Sequence, residues 1–293
     1  MCMINLSLFM IDTHVHTNLS DGLESPEAVI ELAAAAGIDL LSITDHDLMG
    51  AYPGAAELGR QRDVTVVPGV EITTKDEQGC CCVHVVGLGI TPDRRVSDVL
   101  GRIVRAREDS NAGFLSNIND FLAKKFPSWQ PVWDAKPSIF YNVKQTAMSC
   151  GIRMTDKELM DVILNQELWV PMDFEITLDE AVACVKRWGG VPVLAHPFDF
   201  SNDAGLVLGR FLAAGGEAVE LCKYRYKVRS SALHSLNGQE LLAREREMNL
   251  WTIEQARKHS LRLTMASDHH DATRPMGMDP AEYGIDVAWL YEL

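Results

Sequence analysis

The chain has 293 residues, of which 47% are hydrophobic, so it can hold one large α/β domain or two small domains with a sizeable core. Its net charge of −14 disfavours tight binding to polymeric nucleic acid, because that binding comes largely from basic residues that neutralise phosphates. No stretch approaches the roughly 20 apolar residues that a membrane span requires. Seven cysteines without paired spacing indicate reduced thiols, so we expect a cytoplasmic protein without a membrane partner.

Turn and cap signals divide the first hundred residues into alternating strands and helices. The apolar start, residues 1–11, lacks basic residues and a cleavage pattern, so we predict a strand at 6–11 and no signal peptide. Ser25 and Pro26 supply an N-cap and a first-turn proline to a helix that Gly37 ends. Strands are predicted at 40–44, 64–71 and 82–88, and a second helix at 52–62. Such alternation predicts an α/β protein with a parallel sheet that is buried on both faces.

The alternation breaks between residues 107 and 170, where the spacing is helical and no strand signal occurs. We predict a small helical insertion subdomain at 107–170, which separates barrel segments at 1–106 and 171–293. The second segment opens with Thr177 as the cap of a helix that ends near Trp188. Strands follow at 191–196, 218–222 and 262–267, with a long polar helix near 240–258. Seven strands are predicted in all, and α/β barrels carry their chemistry on the loops that follow the strands.

Short blocks that are rich in histidine and carboxylate accompany these apolar runs. They are Asp12-Thr13-His14-Val15-His16, Thr44-Asp45-His46, Glu71, His84, Ala195-His196-Pro197 and Ser267-Asp268-His269-His270. Because successive side chains of a strand alternate faces, His14 and His16 should point together. Imidazole and carboxylate groups bind zinc, manganese and iron, and these candidates exceed what one tetrahedral ion uses. A single histidine is as readily a hydrogen-bonded or surface residue, but the shared placement at strand ends predicts a multinuclear metal site.

The same blocks resemble the motifs of the polymerase-and-histidinol-phosphatase (PHP) family of metal-dependent phosphoesterases. The resemblance rests on Asp12-x-His14-x-His16, Ser20-Asp21-Gly22, Thr44-Asp45-His46, Gly69-Val70-Glu71, His84, His196-Pro197 and Ser267-Asp268-x-His270, in family order. It implies a distorted (β/α)7 barrel and two or three divalent transition-metal ions, either manganese, zinc or iron. The helical insertion is similar to that of the small-molecule phosphoesterase subgroup. That similarity implies a small phosphorylated substrate, such as a nucleoside 3',5'-bisphosphate or a phosphoribosyl 1,2-cyclic phosphate.

The resemblance also implies an allocation of ligands. One ion would be held by His14, His16, Glu71 and Asp268, a second by Glu71, His84 and His196, and a third by Asp21, His46 and His270. Asp21 stands where some members have histidine, and Glu71, Asp268 and His196 are the predicted catalytic residues. Two such cations would lower the pKa of a bridging water and offset the charge of the phosphoryl group. Asp12, Asp45 and Asp47 would accept the free N–H of ligand histidines, although Asp47 could instead cap a helix.

Substrate contacts should come from cationic or hydrogen-bonding side chains. If the segment after strand 218–222 stays extended, Lys223, Arg225 and Lys227 share a face, with a solvated loop as the alternative. Further candidates are Arg105 on a helix face, Arg274 after His270, and Tyr141, Asn142 and Lys144 before a helix of the insertion.

The predicted function is hydrolysis of a small phosphorylated sugar or nucleotide by a metal-bridging hydroxide. One alternative is a metal-dependent amidohydrolase or lactonase, because activated hydroxide in a barrel serves both chemistries. Another is a non-catalytic module that binds a metal or ligand. Basic residues near the site favour phosphate, and the open coordination position disfavours a structural metal site, since structural sites are usually closed.

Overall fold

The computed structural model of the protein describes residues 10–135, 138–199, 203–227, 233 and 236–293. The chain divides into two compact units, one formed by Met1–Asp98 with Ile176–Leu293 and the other by Val99–Glu175. Most of the strand predicted at 6–11 lies outside the described residues, and the segment predicted as an insertion, 107–170, falls inside the second unit. Among the helices that the structure describes, none combines the length and apolar character that crossing a bilayer demands.

Strands of the first unit form two sheets. Their bounds are β1 Met10–Val15, β2 Ile38–Ile43, β3 Thr65–Val66, β4 Gly69–Thr73, β5 His84–Leu88, β6 Val191–Leu194, β7 Ala218–Cys222 and β8 Arg262–Ala266. One sheet has the order β1-β2-β3 and is parallel, and the other has the order β4-β5-β6-β7-β8. In the second sheet β5 runs antiparallel to both β4 and β6, whereas β6, β7 and β8 are parallel. The structure is therefore of the mixed α/β kind.

Two features of the sheets correct the sequence prediction. The sheet is not wholly parallel, because β4 and β5 are joined by residues 74–83 without a helix. A connection this short permits an antiparallel neighbour, while a parallel neighbour needs a crossover of about a dozen residues or more. The single strand predicted at 64–71 is two strands in different sheets. Pro68 lies between them and has no N–H to donate to a sheet.

Helices connect the strands and form the second unit. Their bounds are α1 Pro26–Ala35, α2 Tyr52–Gln61, α3 Arg94–Lys125, α4 Ile139–Ser149, α5 Asp156–Ile163, α6 Leu178–Arg187, α7 Ala204–Ala213, α8 Gly238–His259 and α9 Pro280–Tyr283. The predicted caps are present: the Ser25 side chain accepts from the N–H of Ala28, and Thr177 forms a reciprocal capping box with Glu180. Helix α7 was not predicted from the sequence. Asp203 caps its first turn by accepting the N–H groups of residues 205 and 206.

One buried core joins the two sheets. It includes Ile11 and Leu40 from the first sheet and Val86, Val193 and Met265 from the second, each at most 1% exposed. Burial of apolar surface at about 25 cal/mol per Å² is the main term that favours such packing. Isolated bridges also pair residue 15 with residue 269 and residue 46 with residue 71. The ends of strands from both sheets therefore meet.

The second unit has a core of its own. Leu115, Ile118 and Leu122 on α3 are at most 1% exposed and pack with Val143 of α4 and Leu159 of α5. Their spacing of three and four residues along α3 is that of one helical face. The unit therefore buries an apolar core without strands among its described residues.

Candidate metal centre

The structure brings all nine predicted metal ligands together in the first unit. They are His14, His16, Asp21, His46, Glu71, His84, His196, Asp268 and His270. Each belongs to at least one group of three or four side chains whose ligand atoms lie within 4.8 Å of one another. Four groups contain only these residues, and a fifth adds Asp199 to His196 and Asp268.

Strand direction explains how distant residues reach one place. His14 lies near the carboxyl end of β1, His196 follows β6 and Asp268 follows β8, all at the ends of parallel strands or just beyond them. His84 does not end an apolar run, as the sequence pattern suggested, but opens β5. Because β5 is antiparallel to its neighbours, its amino end lies beside their carboxyl ends, which returns His84 to the same cluster.

The backbone is strained at two of the donors. His196 has φ +26° and Asp268 has φ +53°, in the left-handed region that residues other than glycine seldom adopt. Such conformations cost on the order of 1–3 kcal/mol each and persist where surrounding structure enforces them. Here the N–H of His196 donates to Glu220 and the N–H of Asp268 donates to the carbonyl of His14, so both turns are fixed by buried neighbours.

Glu71 lies at the centre of the cluster and is 1% exposed. Its two oxygens face different histidines. Oε2 lies 3.1 Å from His14 Nε2, 3.2 Å from His16 Nε2 and 3.3 Å from His46 Nδ1, whereas Oε1 lies 2.8 Å from His84 Nδ1 and 3.0 Å from His196 Nε2. A carboxylate divided in this way is placed to bridge two cations.

The donor set fits divalent metal ions. His14 Nδ1 lies 2.9 Å from Glu220 Oε2, so this nitrogen carries a proton and Nε2 is the atom that would bind a metal ion. That Nε2 is only 3.1 Å from His16 Nε2, and Asp268 Oδ1 lies 3.2 Å from His16 Nε2. Imidazole nitrogens and carboxylate oxygens that converge in a buried space form the ligand chemistry of zinc, manganese and iron.

Charges within the cluster shift the pKa values of its members. Burial would lower the pKa of His16, but hydrogen bonds with Asp268 and Glu71 outweigh it and raise the pKa to about 10. For His46, burial prevails and lowers the pKa to about 3. Burial would raise the pKa of Glu71, yet its charged neighbours, His14 foremost, hold that pKa well below the ordinary value. Protons thus offset the carboxylates in the absence of metal, and ions that bind here must displace them.

Two carboxylates support the histidines from behind and were not predicted as site residues. Glu220 is fully buried and accepts from His14 Nδ1 as well as from the N–H of His196, the latter at 3.2 Å. Asp199 Oδ2 lies 3.3 Å from His196 Nδ1. The sequence signal for Glu220 was an acidic residue inside the apolar strand Ala218–Cys222, because a buried charge needs a partner.

This supporting role had been predicted for Asp12, Asp45 and Asp47, and the prediction is wrong for the first two. Asp12 accepts from Ser267 Oγ at 2.6 Å and from the N–H of Gly277 at 2.8 Å, while Asp45 accepts from Thr17 Oγ1 at 2.7 Å. Both carboxylates hydrogen-bond to loops around the cluster and not to the rings of histidines. The alternative role of Asp47 as a cap of α2 is also wrong, because that helix begins after Ala51; Asp47 instead accepts the N–H of residue 73.

The segment after β7 is not extended, so its three cations do not form a common binding face. Residues 224–226 form a 3-10 turn. Lys223 Nζ donates to the carbonyls of Pro275 and Met276 at 2.7 and 3.2 Å, and the guanidinium of Arg225 pairs with Glu245. These contacts disfavour the predicted substrate role of Lys223 and Arg225.

Two other cations lie in the cluster itself. Arg274 Nη1 is 3.0 Å from Asp268 Oδ2 and 3.1 Å from His270 Nδ1, and its side chain is 15% exposed. The solvated alternative for Lys227 is wrong, because this residue is 3% exposed and its Nζ lies 2.7 Å from a carboxylate oxygen of Asp268.

The remaining predicted substrate residues belong to the second unit. Arg105 lies on α3, and Tyr141, Asn142 and Lys144 lie within α4 rather than before it. Asn142 Nδ2 donates to the carbonyl of Asp134 at 2.8 Å, and Lys144 Nζ lies 2.6 Å from Asp156 Oδ1. Tyr141 is 52% exposed. Substrate contacts by these residues stay a prediction.

Comparison with known proteins places this centre in a family. A buried cluster of histidines and carboxylates at strand ends defines a candidate metal-dependent hydrolase of the α/β class. Residues 12–167, more than half of the chain, match the family model described as PHP domain. The chain therefore belongs to the PHP-domain family, as its motifs predicted.

Curated relatives are named for phosphoester hydrolysis. A 3',5'-nucleoside bisphosphate phosphatase from Chromobacterium violaceum is 26% identical over 97% of this chain and 92% of that protein. The 5'-3' exoribonuclease Rnm from Escherichia coli is 41% identical over 82% of each chain. A phosphoribosyl 1,2-cyclic phosphate 1,2-diphosphodiesterase from Eggerthella lenta is 40% identical over 64% of this chain and 73% of that protein. The predicted enzyme class, a phosphoester hydrolase, is confirmed.

Solved structures share the fold. An amidohydrolase from Chromobacterium violaceum, solved with bound sulfate, superposes with a TM-score of 0.67 at 24% identity and covers 92% of this chain and 91% of its own. A protein from Bifidobacterium adolescentis superposes with a TM-score of 0.62 at 22% identity, over 91% and 90% of the two chains. At these identities the likeness concerns the fold alone.

Proposed function

We propose that the chain hydrolyses a phosphoester of a small nucleotide or sugar phosphate with two or three bound manganese, zinc or iron ions. The observation that carries this proposal is the divided environment of Glu71, whose two oxygens face two separate sets of histidines. A bridging carboxylate of this kind is suited to a pair of cations. Structural sites rarely need so many donors.

The nine donors would hold the ions in the predicted allocation, with the group of Asp21, His46 and His270 as the third position. When bound, the ions supply Lewis acidity toward phosphoryl oxygens and lower the pKa of water. Glu220 fixes the tautomer of His14, and Asp199 does the same for His196. Arg274, beside Asp268 and partly exposed, offers a planar guanidinium that suits a phosphoryl group.

We also propose that the two sheets form one distorted (β/α)7 barrel. If β3 and β4 are counted as one strand interrupted at Pro68, the order runs β1, β2, β3/β4, β5, β6, β7, β8 and contains seven strands. The bridge between Val15 and His269 supports closure of β8 onto β1, as do their direct contacts. The shared core supports the same arrangement.

Two substrate classes follow from the relatives. A nucleoside 3',5'-bisphosphate or a phosphoribosyl 1,2-cyclic phosphate is the first candidate, because relatives named for these compounds align along much of the chain. The 5' end of an RNA is the second, since the Escherichia coli relative named as an exoribonuclease is 41% identical over 82% of both chains. The net charge of −14 favours the small substrate. The predicted absence of a polymeric nucleic acid partner therefore stays a prediction.

A cytoplasmic location completes the proposal. Cys80, Cys150, Cys184 and Cys222 are free thiols. Thiols persist in reducing compartments, whereas disulfides prevail outside them. The location is checked by fractionating cells that express a tagged copy.

A substrate screen tests the function. Purified protein loaded with manganese is incubated with nucleoside bisphosphates, cyclic sugar phosphates, sugar monophosphates and a 5'-phosphorylated oligoribonucleotide, and product release is followed with the Glu71→Gln variant as control. We expect turnover of a small phosphoester by the native chain and none by the variant. Preferential turnover of the oligoribonucleotide would favour the second candidate. Turnover of a lactone or an amide alone would favour the rival hydrolase class.

A further inference from the structure

The ammonium group of Lys227 lies inside the metal centre. The side chain is fully buried, and its Nζ is 2.7 Å from Asp199 Oδ2 and 2.7 Å from Asp268 Oδ2. Lysine is almost never fully buried without a paired charge, because its ammonium loses a strong hydration shell. The two carboxylates replace that shell, so Lys227 is held as a fixed cation.

The same carboxylates belong to a group that could hold a metal ion. Ligand atoms of His196, Asp199 and Asp268 lie within 4.8 Å of one another, and the three residues are buried. Two carboxylates and one imidazole would suit manganese or iron. The Lys227 ammonium, within hydrogen-bonding distance of both carboxylates, fills the position that such an ion would take.

Asp268 divides its oxygens between this cation and the histidines. Oδ1 lies 3.2 Å from His16 Nε2, whereas Oδ2 lies within 3.0 Å of both Lys227 Nζ and Arg274 Nη1. The hydrogen bond from Arg274 is charge-assisted and directional, and the Lys227 ammonium adds an ion pair, so the two cations together hold Oδ2 in place. One oxygen is left for the ions and the other is committed to protein cations.

We infer that Lys227 is a positioning residue that substitutes for a further divalent ion between Asp199 and Asp268 and presents Asp268 to the cluster through Oδ1 alone. The inference rests on the proposed function, because it requires metal ions in the neighbouring groups. Because the ammonium occupies this position, Lys227 would reduce by one the number of metal ions that the centre binds.

Counting bound metal tests the inference. Native protein, Lys227→Met, Lys227→Arg and the double variant Asp199→Asn/Lys227→Met are saturated with manganese, freed of excess ion and assayed for manganese per chain. Lys227→Met should bind one more ion than the native chain, because the ammonium no longer occupies the position between the two carboxylates. Lys227→Arg keeps the charge and should keep the native count. The double variant lacks one carboxylate and should not gain the ion.

Thermal unfolding with and without manganese supplies a second measurement. Added manganese should raise the melting temperature of Lys227→Met more than it raises that of the native protein. If folded Lys227→Met can be purified only in the presence of manganese, that result also supports the inference. The exposed Lys258→Met serves as the matched control and should leave count and melting temperature unchanged.

The inference would be overturned if Lys227→Met bound the same number of manganese ions as the native chain and showed the same rise in melting temperature on addition of manganese. Failure of the proposed function gives a different result. In that case the native chain itself would bind less than about one ion or turn over none of the phosphoesters in the substrate screen.

Discussion

At the scale of single residues, Glu71 and Asp21 differ most in what they contribute. Glu71 is 1% exposed and lies within 3.3 Å of five histidines, while the Asp21 side chain is 39% exposed and contacts the group with His46 and His270. The first residue is shared between sets of donors and the second serves one set. Their replacement should therefore have unequal effects.

Glu71→Gln should reduce kcat/KM more than Asp21→Asn does. Loss of a bridging charge affects two cations, so we expect a decrease of at least about 10³-fold, which corresponds to roughly 4 kcal/mol of transition-state stabilisation. The measurement is initial-rate phosphate release, with metal content determined on the same samples. Equal losses would mean that the Asp21 group is catalytic, and a mild loss at Glu71 would contradict the bridging role.

Glu220→Gln should weaken metal binding without touching the ions directly. The carboxylate fixes the tautomer of His14, and loss of such a partner typically lowers metal affinity about 10- to 100-fold. Titration of manganese against a competing chelator measures the change. The exposed Glu254→Gln on α8 is the control, and indistinguishable affinities for the two variants would refute the supporting role.

The sequence predicted which histidines and carboxylates come together better than it predicted the groups around them. His14 and His16 repeat at an interval that a strand places on one face, so their proximity follows from local geometry. The contacts of Glu220 with His14 and of Lys227 with Asp199 and Asp268 join residues of different strands and loops, and no local pattern predicts such pairs. Basic residues were predicted as substrate contacts from their charge and their position after a strand, whereas Lys223 and Arg225 use their charge inside the protein.

At the scale of elements, helix ends followed their predicted signals, whereas strand direction did not. Ser25 and Thr177 cap helices as expected, because a cap depends on four consecutive residues. The direction of β5 depends on the length of its connections and on the sheet that accepts it. The apolar run that predicts β5 is the same for either direction.

Packing of α7 against the start of β7 gives an element-scale prediction. A Cβ at Gly216 would collide with the ring of Phe211, which is fully buried, whereas a Cβ at Gly209 meets nothing within 4 Å. Gly216→Ala should therefore destabilise the protein by about 1–3 kcal/mol, as overpacking of a core does. Gly209→Ala lies within α7 and should stabilise it by up to about 1 kcal/mol. Urea unfolding compares the two, and equal midpoints would contradict this packing.

At the scale of the whole molecule, the described metal donors all belong to the unit formed by residues 1–98 and 176–293. They include the carboxylates of Glu71, Asp21 and Asp268, and the carboxylates of Glu220 and Asp199 lie beside them. Without metal, protons on the histidines offset part of this negative charge, and ions that bind replace them. Metal ions that bind only the folded state should therefore stabilise it.

Removal of metal should lower the melting temperature and abolish phosphate release together. Free ion at about 100 times its dissociation constant adds roughly 2.7 kcal/mol to the stability of the folded state. For a unit of this size that corresponds to several degrees, since about 1 kcal/mol shifts the midpoint by roughly 2–4 °C. Calorimetry of chelator-treated and manganese-reloaded samples measures the shift. Full activity in the chelator-treated sample would rule out metal-dependent catalysis.

The left-handed backbone at His196 and Asp268 places the chemistry of this protein in competition with its thermodynamic stability. A glycine would adopt φ +26° or +53° at little conformational cost, but it would remove a donor from the cluster. Selection for higher stability alone would thus favour replacements at these positions that lower activity. Persistence of histidine and aspartate at these two turns is therefore expected only in lineages that still need the reaction, and their loss would mark relatives that have become inert scaffolds.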